Sequence, residues 1–428
     1  MLDFVEPASS DVILKASQTL WPVYAKAIRR NLFLQVSEEV LSIFRALKDR
    51  PVLICPNHSA HEDPAVMFIL STMVNEQFRF LTARESFGSR NTWYSKWLQK
   101  IGCYSVERGV PDVHAFRATR DLLIQGPNKI VIFPEGEVTH QNNYLNEFEN
   151  GTEHIGLSAV EELKREHRCS AIFIVPLALK YKYVIDVRQE LAEAIGSIEA
   201  ALGYESALGY QKDSGQFLKE RIRSAFFVML AVLESAHNCS PPPEASFEER
   251  MTALRAHLIC ETECFLHVEL PKDLPQLHKI HMLKNNFAQK SWCHEDKPKF
   301  VHFRCSHCPS DLERIYYRQL KRATNFLALG NHSFNHELTQ EEAAELISIL
   351  QQEILGKVSL KRPETIFIGA APAIDLNDFS AFFEKDKKSS IQAVKLELAH
   401  RLNERLLTLE ENERVVPASF KNGLTSLS

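Results

Sequence analysis

The sequence predicts an α/β fold in which a mostly parallel central sheet is flanked by helices and carries a large helical insertion. Three observations predict it. Short apolar runs rich in β-branched residues alternate with longer segments of helical spacing, the reactive side chains follow those runs, and a long helical region precedes a late return to strand character.

Residues 1–48 read as an N-terminal helical segment. Over residues 13–47, Leu14, Trp21, Tyr24, Ile28, Leu32 and Phe33 recur at helical spacing, with Lys15, Lys26, Arg29 and Arg30 among them. Pro22 divides this stretch into two helical pieces. Such a face either lies in a lipid headgroup interface or packs on its own core, and the residues leave both open.

Residues 49–185 read as the core. Strand-like runs fall at 52–55, 78–81, 104–106, 129–133 and 171–181. In parallel sheets ligands bind beyond the carboxyl ends of the strands. His58 follows the first run, Arg84 the second, Arg108 the third and Glu135 the fourth, so all four are expected at one edge.

Residues 186–360 are chiefly helical, broken by SPPPEAS at 240–246, which reads as a loop or rigid linker. Residues 361–428 return to strand character (364–376) and then read as a C-terminal helix (389–412). The residues of the helical region do not say whether it covers the site, meets a membrane or holds a partner.

The chemistry is concentrated in ICPNHSAHEDP, where Asp63 follows His58 by five residues. Five residues of ideal helix rotate by roughly 140°, so the pair cannot share a helical face and must span a loop leading into a helix. Asp63-Pro64 fits that loop, Asp as N-cap and Pro at the first helical position. One carboxylate oxygen can cap while the other accepts from imidazole Nδ1, which leaves Nε2 as a base.

Three segments follow in order: IGCYSVERG with Arg108, VIFPEGEV with Glu135 and Gly136, and FIVPLAL with Pro176. Together the four blocks resemble the glycerolipid acyltransferase family, whose members acylate glycerol-3-phosphate, lysophosphatidic acid and related lysophospholipids. The likeness covers residues 51–182, and a weaker one at 364–376 looks like the strand that closes the family's core, which implies that 186–360 is an insertion rather than an independent C-terminal domain. It rests on His58 and Asp63; on Gly102, Val106 and Arg108; on Phe133, Pro134, Glu135 and Gly136 unaltered; and on Val175 with Pro176. Glu137 and Val138 stand where the family commonly has Thr and Arg, and Ser105 where it usually has an aromatic.

What the resemblance implies is direct transfer of a fatty acyl group from an acyl-CoA or acyl carrier protein thioester to a hydroxyl of a glycerophosphate or lysophospholipid. His58 would be the base and Asp63 its orienting carboxylate. Arg108 would take the acceptor phosphate, with Arg84 the next best placed cation. Glu135 and Gly136 would belong to the acceptor-binding turn, and Pro176 would shape the sheet edge. No Gly-x-Ser-x-Gly elbow occurs, so no acyl-enzyme is required. The missing basic residue after Phe-Pro-Glu-Gly keeps open an acyltransferase or thioesterase acting on a non-phosphorylated acceptor. An inactive lipid-binding scaffold is a further alternative, opposed by the intact His58, Asp63, Arg108 and Glu135.

No cofactor beyond the donor is expected, and no metal. His58 and His61 form a His-x2-His pair without a third ligand at recognisable spacing. Cys293, His294, His302, Cys305, His307 and Cys308 lack paired knuckles and read as reduced cysteine with surface histidines.

Composition bounds the setting. A charged fraction of 25%, a hydrophobic fraction of 45% and nine cysteines fit a globular chain without a disulfide framework. A net charge of -5 gives no general attraction to nucleic acid. The start MLDFVEPASS lacks the signal-peptide pattern, and no apolar run reaches the roughly 20 residues of a span. The expectation is a cytoplasmic protein, peripheral on the inner face of a membrane.

Overall fold

The strands that carry the site run between α-helices in chain order, and a late strand joins them from beyond the helical region. The computed structural model describes residues 4–27, 32–87, 92–168, 171–204, 215–292, 311–327, 329, 334, 336–358, 364–409 and 415–417. The Cys/His segment at 293–308 lies outside the described residues, as do Ile28, Arg29 and Arg30 and the side chains of Trp21, Tyr24, Lys26, Leu32 and Phe33.

In order come α1 (Asp11–Ala27), β1 (Leu32–Ser37), α2 (Glu38–Ala46), β2 (Val52–Pro56), α3 (Asp63–Met73), β3 (Phe78–Ala83), α4 (Trp93–Lys100), β4 (Cys103–Val106), α5 (Val113–Gln125), β5 (Lys129–Val131), α6 (Thr152–Arg165) and β6 (Phe173–Tyr183). Six helices follow: α7 (Arg188–Ala201), α8 (Gly215–Ala236), α9 (Phe247–Leu266), α10 (Gln276–Trp292), α11 (Asp311–Leu327) and α12 (Gln340–Ile354). The chain then returns with β7 (Glu364–Ala370), β8 (Ile374–Asp375), α13 (Asn377–Lys385), α14 (Lys387–Thr408) and β9 (Val415–Pro417).

The sheet order is β4-β3-β5-β2-β6-β7-β1-β9, with β8 beside β6. From β4 to β6 every neighbouring pair is parallel, so the carboxyl ends of these five strands share one edge. Beyond β6 the direction reverses: β7 runs antiparallel to it, and β1 runs parallel to β7. The α/β class therefore holds, with a mixed sheet that is parallel where the reactive side chains emerge.

Burial follows the pleat. All of β2 is buried because helices cover both faces. Its Val52 and Ile54 join one core with Val66 of α3 and Ile366 of β7, whereas Leu53 and Cys55 join the other with Leu157 of α6 and Leu402 of α14. The helices from α7 to α12 enclose two further apolar clusters, one around Phe226 and Ile347, the other around Phe287 and Leu320. In SPPPEAS, Ser246 caps α9 through a capping box with Glu249.

Two readings of the first 48 residues are corrected. Residues 32–37 form a strand, not a helix: Leu34 and Val36 alternate into the core, and the partner strand β7 lies far along the chain, where local spacing cannot register it. Pro22 does not divide α1, which runs as one helix from Asp11 to Ala27. One face of α1 docks on the core through Leu14, through Gln18 bonded to Ser71 at 2.9 Å and through Ser17 bonded to Trp97 at 3.1 Å. Val12 and Leu20 remain 79% and 62% exposed.

Candidate active site

Beyond the last residue of β2, the chain is held in strand-like register by a side chain. Asn57, wholly buried, donates to the Leu179 carbonyl at 3.0 Å and accepts from the Leu179 N–H at 2.7 Å. Asn142 repeats the pattern on Tyr181, at 2.6 and 2.7 Å. These two amides satisfy the edge of β6 where it outruns β2, and they fix the start of the His58 loop.

His58 is clamped by its backbone. Its N–H donates to Glu135 Oε1 at 2.8 Å, and its carbonyl accepts from the Thr139 N–H at 2.8 Å and the Thr139 hydroxyl at 3.1 Å. The imidazole stacks on Phe133 with ring centroids 4.1 Å apart. Nδ1 lies 2.9 Å from Asp63 Oδ2, and Nε2 has no hydrogen-bond partner among the described residues. A carboxylate acceptor at Nδ1 places the proton there and leaves Nε2 basic, an assignment made from the hydrogen-bond pattern.

Asp63 is fully buried and takes three donors. Oδ2 accepts from His58 and from the Ala60 N–H at 2.9 Å, while Oδ1 accepts from the Tyr181 hydroxyl at 2.5 Å. Burial and the facing Asp63 push the Tyr181 phenol well above its usual range, so it stays a donor. The N-cap reading of Asp63 is corrected: Glu62 occupies the cap position without a side-chain bond, and Asp63 begins the helix with Pro64. The Tyr181 hydroxyl captures Oδ1, the oxygen that capping would have used, while the Ala60 N–H shares Oδ2 with His58.

Glu135 uses both oxygens on backbone, one on His58 and the other on the Asn146 N–H at 2.8 Å. Burial pushes its carboxyl up to about 7, against the pull of those two bonds. Gly136 turns the chain at φ 70°, where a Cβ would meet Glu149 Cγ at 2.8 Å. Pro176 lies in β6 opposite Cys55 of β2.

The two arginines are placed differently. Arg84 donates to Glu107 Oε2 at 2.7 Å and to Asp112, which ties β3 to the turn before α5. Arg108 donates to the Gly136 carbonyl at 3.0 Å, pairs with Glu85 and lies 3.1 Å from Glu137 Oε2. Arg108, Glu135 and Gly136 thus meet around one turn, joined there to His58. Arg84 is engaged by carboxylates on the far side of β4's turn.

Residues that the sequence did not single out complete the surroundings. Helix α10 brings His281 Nε2 and Lys284 Nζ to 3.3 Å from Glu137 Oε2, and Asn285 donates to the Arg108 carbonyl at 2.9 Å. His278 of the same helix pairs with Glu149. Burial alone would raise the Glu137 carboxyl, yet Arg108 and Lys284 hold it well below the usual carboxylate range. Burial, then Arg108, lowers His281 to about 4, so it is neutral at physiological pH. A cavity of about 450 Å³ opens along this seam, lined by Glu135, Glu137 and Glu149 on one side and Arg255, His278 and Thr324 on the other.

Tyr181 and Asn142 carried a faint signal, since the predicted strand and the segment after Gly136 contain them. Lys284 carried none, because nothing local in α10 relates it to Glu137. His61 meets His140 edge-on at 5.4 Å, and no group of three metal-ligating side chains occurs among the described residues.

A carboxylate-held imidazole with a bare Nε2, at the carboxyl edge of a parallel sheet, can accept a proton from a bound hydroxyl. No curated protein matches this sequence. Residues 36–180 match the family model described as Acyltransferase, a span that holds His58, Asp63, Arg108 and Glu135.

Proposed function

We propose that this chain transfers a fatty acyl group from an acyl-CoA or acyl carrier protein thioester to a hydroxyl of a glycerophosphate or lysophospholipid, in phospholipid synthesis or remodelling. The observation that carries this reading is the His58–Asp63 pair, with Nδ1 bonded at 2.9 Å and Nε2 without a hydrogen-bond partner among the described residues. Nε2 takes the acceptor hydroxyl proton as that oxygen bonds to the thioester carbon. The tetrahedral adduct then collapses, the C–S bond breaks, and the imidazolium returns the proton to the departing thiolate. Asp63 stays ionised throughout and stabilises the imidazolium.

Residues 186–360 are taken as one insertion into a catalytic unit formed by 49–185 and 361–428; the pairing of β7 with β6 supports this. Contact with a membrane surface on its cytoplasmic side is supported by the exposed Val12 and Leu20, with the exposed Lys15 between them. Among the described residues no helix is long and apolar enough to cross a membrane.

A second reading has an observation of its own. Glu85 and Glu137 both pair with Arg108, which favours an acceptor without phosphate, because the guanidinium charge is already compensated. The first experiment is thiol release from a long-chain acyl-CoA with lysophosphatidic acid, comparing wild type with His58→Ala. We expect kcat to fall by about a hundred- to ten-thousandfold. Full activity in the variant would remove His58 from the chemistry.

A further inference from the structure

Three nitrogen donors, from two distant parts of the chain, converge on a single oxygen. Arg108 reaches Glu137 Oε2 at 3.1 Å, and His281 and Lys284 of α10 each reach it at 3.3 Å. The remaining contacts keep these donors aimed: Lys284 also donates to Thr324 at 3.0 Å, and Arg108 to the Gly136 carbonyl at 3.0 Å. A guanidinium and an ammonium beside a neutral imidazole form a site for a charged oxygen, and phosphate satisfies such donors as well as carboxylate does. Helix α10 reaches this position because residue 109 is glycine. A Cβ there would stand 2.7 Å from His281 Cβ and 2.9 Å from the His278 carbonyl.

We propose that Lys284 and His281, carried by the helical region, complete with Arg108 a docking site for the phosphomonoester of the acceptor, and that Glu137 is its internal counter-ion, filling the site until the acceptor arrives. This rests on the reading of the acceptor as phosphorylated. It reconciles that reading with the compensated charge on Arg108, since the compensating carboxylate is the group to be displaced. Glu137 lines the seam cavity, which gives the displaced side chain room. The cavity also borders Glu135 and Thr139, which hold the His58 backbone, so phosphate site and base share one turn. If the network were only a fastening for α10, its removal would affect all acceptors alike.

The test uses the full chain with a long-chain acyl-CoA and two acceptors, lysophosphatidic acid and the monoacylglycerol that lacks its phosphate. For Lys284→Met we expect the ratio of kcat/KM between the two acceptors to fall roughly ten- to a hundredfold, the loss of one charge-assisted bond, with Lys284→Arg restoring most of it. For Glu137→Gln, which keeps the shape and removes the competing charge, KM for lysophosphatidic acid should fall, and inorganic phosphate should become a stronger competitive inhibitor. This second variant decides the matter should Lys284→Met not fold. Equal losses on both acceptors, or unchanged phosphate inhibition in Glu137→Gln, would overturn the site while leaving the acceptor reading intact. A wild type that acylates monoacylglycerol as well as lysophosphatidic acid would overturn the acceptor reading and this site with it.

Discussion

His58 and Asp63 were legible as a spacing, but the partners that hold the pair in place were not. Asp63 depends on the Tyr181 hydroxyl, 118 positions away along the chain, and His58 depends on Glu135 and Thr139 for its backbone. A motif records residues that are close in sequence, whereas a buried carboxylate is defined by every donor that reaches it. Tyr181→Phe removes one of three donors from a wholly buried carboxylate. We expect a stability loss of about 1–3 kcal/mol, read from chemical denaturation, and a lower kcat as the imidazole loses its fixed orientation. An unchanged midpoint and rate would mean that Asp63 needs only its loop and histidine bonds.

Among the elements, the five parallel strands were legible because each holds an apolar run set between longer segments of helical spacing. Strand β1 was not, since its alternation is brief and sits inside a stretch that also satisfies helical spacing. The contact of α10 with the core was equally hidden, because only the meeting of two distant backbones explains why position 109 lacks a side chain. Gly109 has φ 78°, so even alanine is strained there before it meets His281. For Gly109→Ala we expect about 1–3 kcal/mol of destabilisation. Hydrogen exchange should rise selectively along α10, with a higher KM for the acceptor. Uniform exchange across the molecule would argue that α10 is not seated by this contact.

For the whole molecule, the class and the edge that gathers the site followed from the alternation of runs, while the strand order beyond β6 did not. Buried titratable groups also set opposing trends in stability. Glu135 and Glu153 are each pushed up by burial to about 7, so their contribution is fully present below about 4.5 and is lost as pH rises through 7. His140 and His281 are lowered by burial to about 4, so their contribution is present above about 6.5 and is lost as pH falls toward 4. The two trends offset each other, and a single group shows its part only by difference. Glu153 is wholly buried, and neither of its carboxylate oxygens has a hydrogen-bond partner among the described residues. Glu153→Gln should be neutral near pH 4.5 and stabilising by about 3 kcal/mol at pH 8, measured by denaturation at both values. A pH-independent effect would show that the buried charge is not its origin.

The pairing of β1 with β7 also sets a timetable for synthesis. Leu32 finds its partner in Glu364, across about 330 residues of intervening chain, which at 5–20 residues per second is roughly 17 to 66 s of translation. Throughout that interval Leu34 and Val36 have no strand to receive them, and once residue 183 has been added β6 too waits for β7 to cover its edge. Unpaired apolar strands of this kind are what chaperones bind. The nascent chain is thus most exposed to aggregation while its helical region is being made, and slowing translation there would lengthen the exposure rather than relieve it.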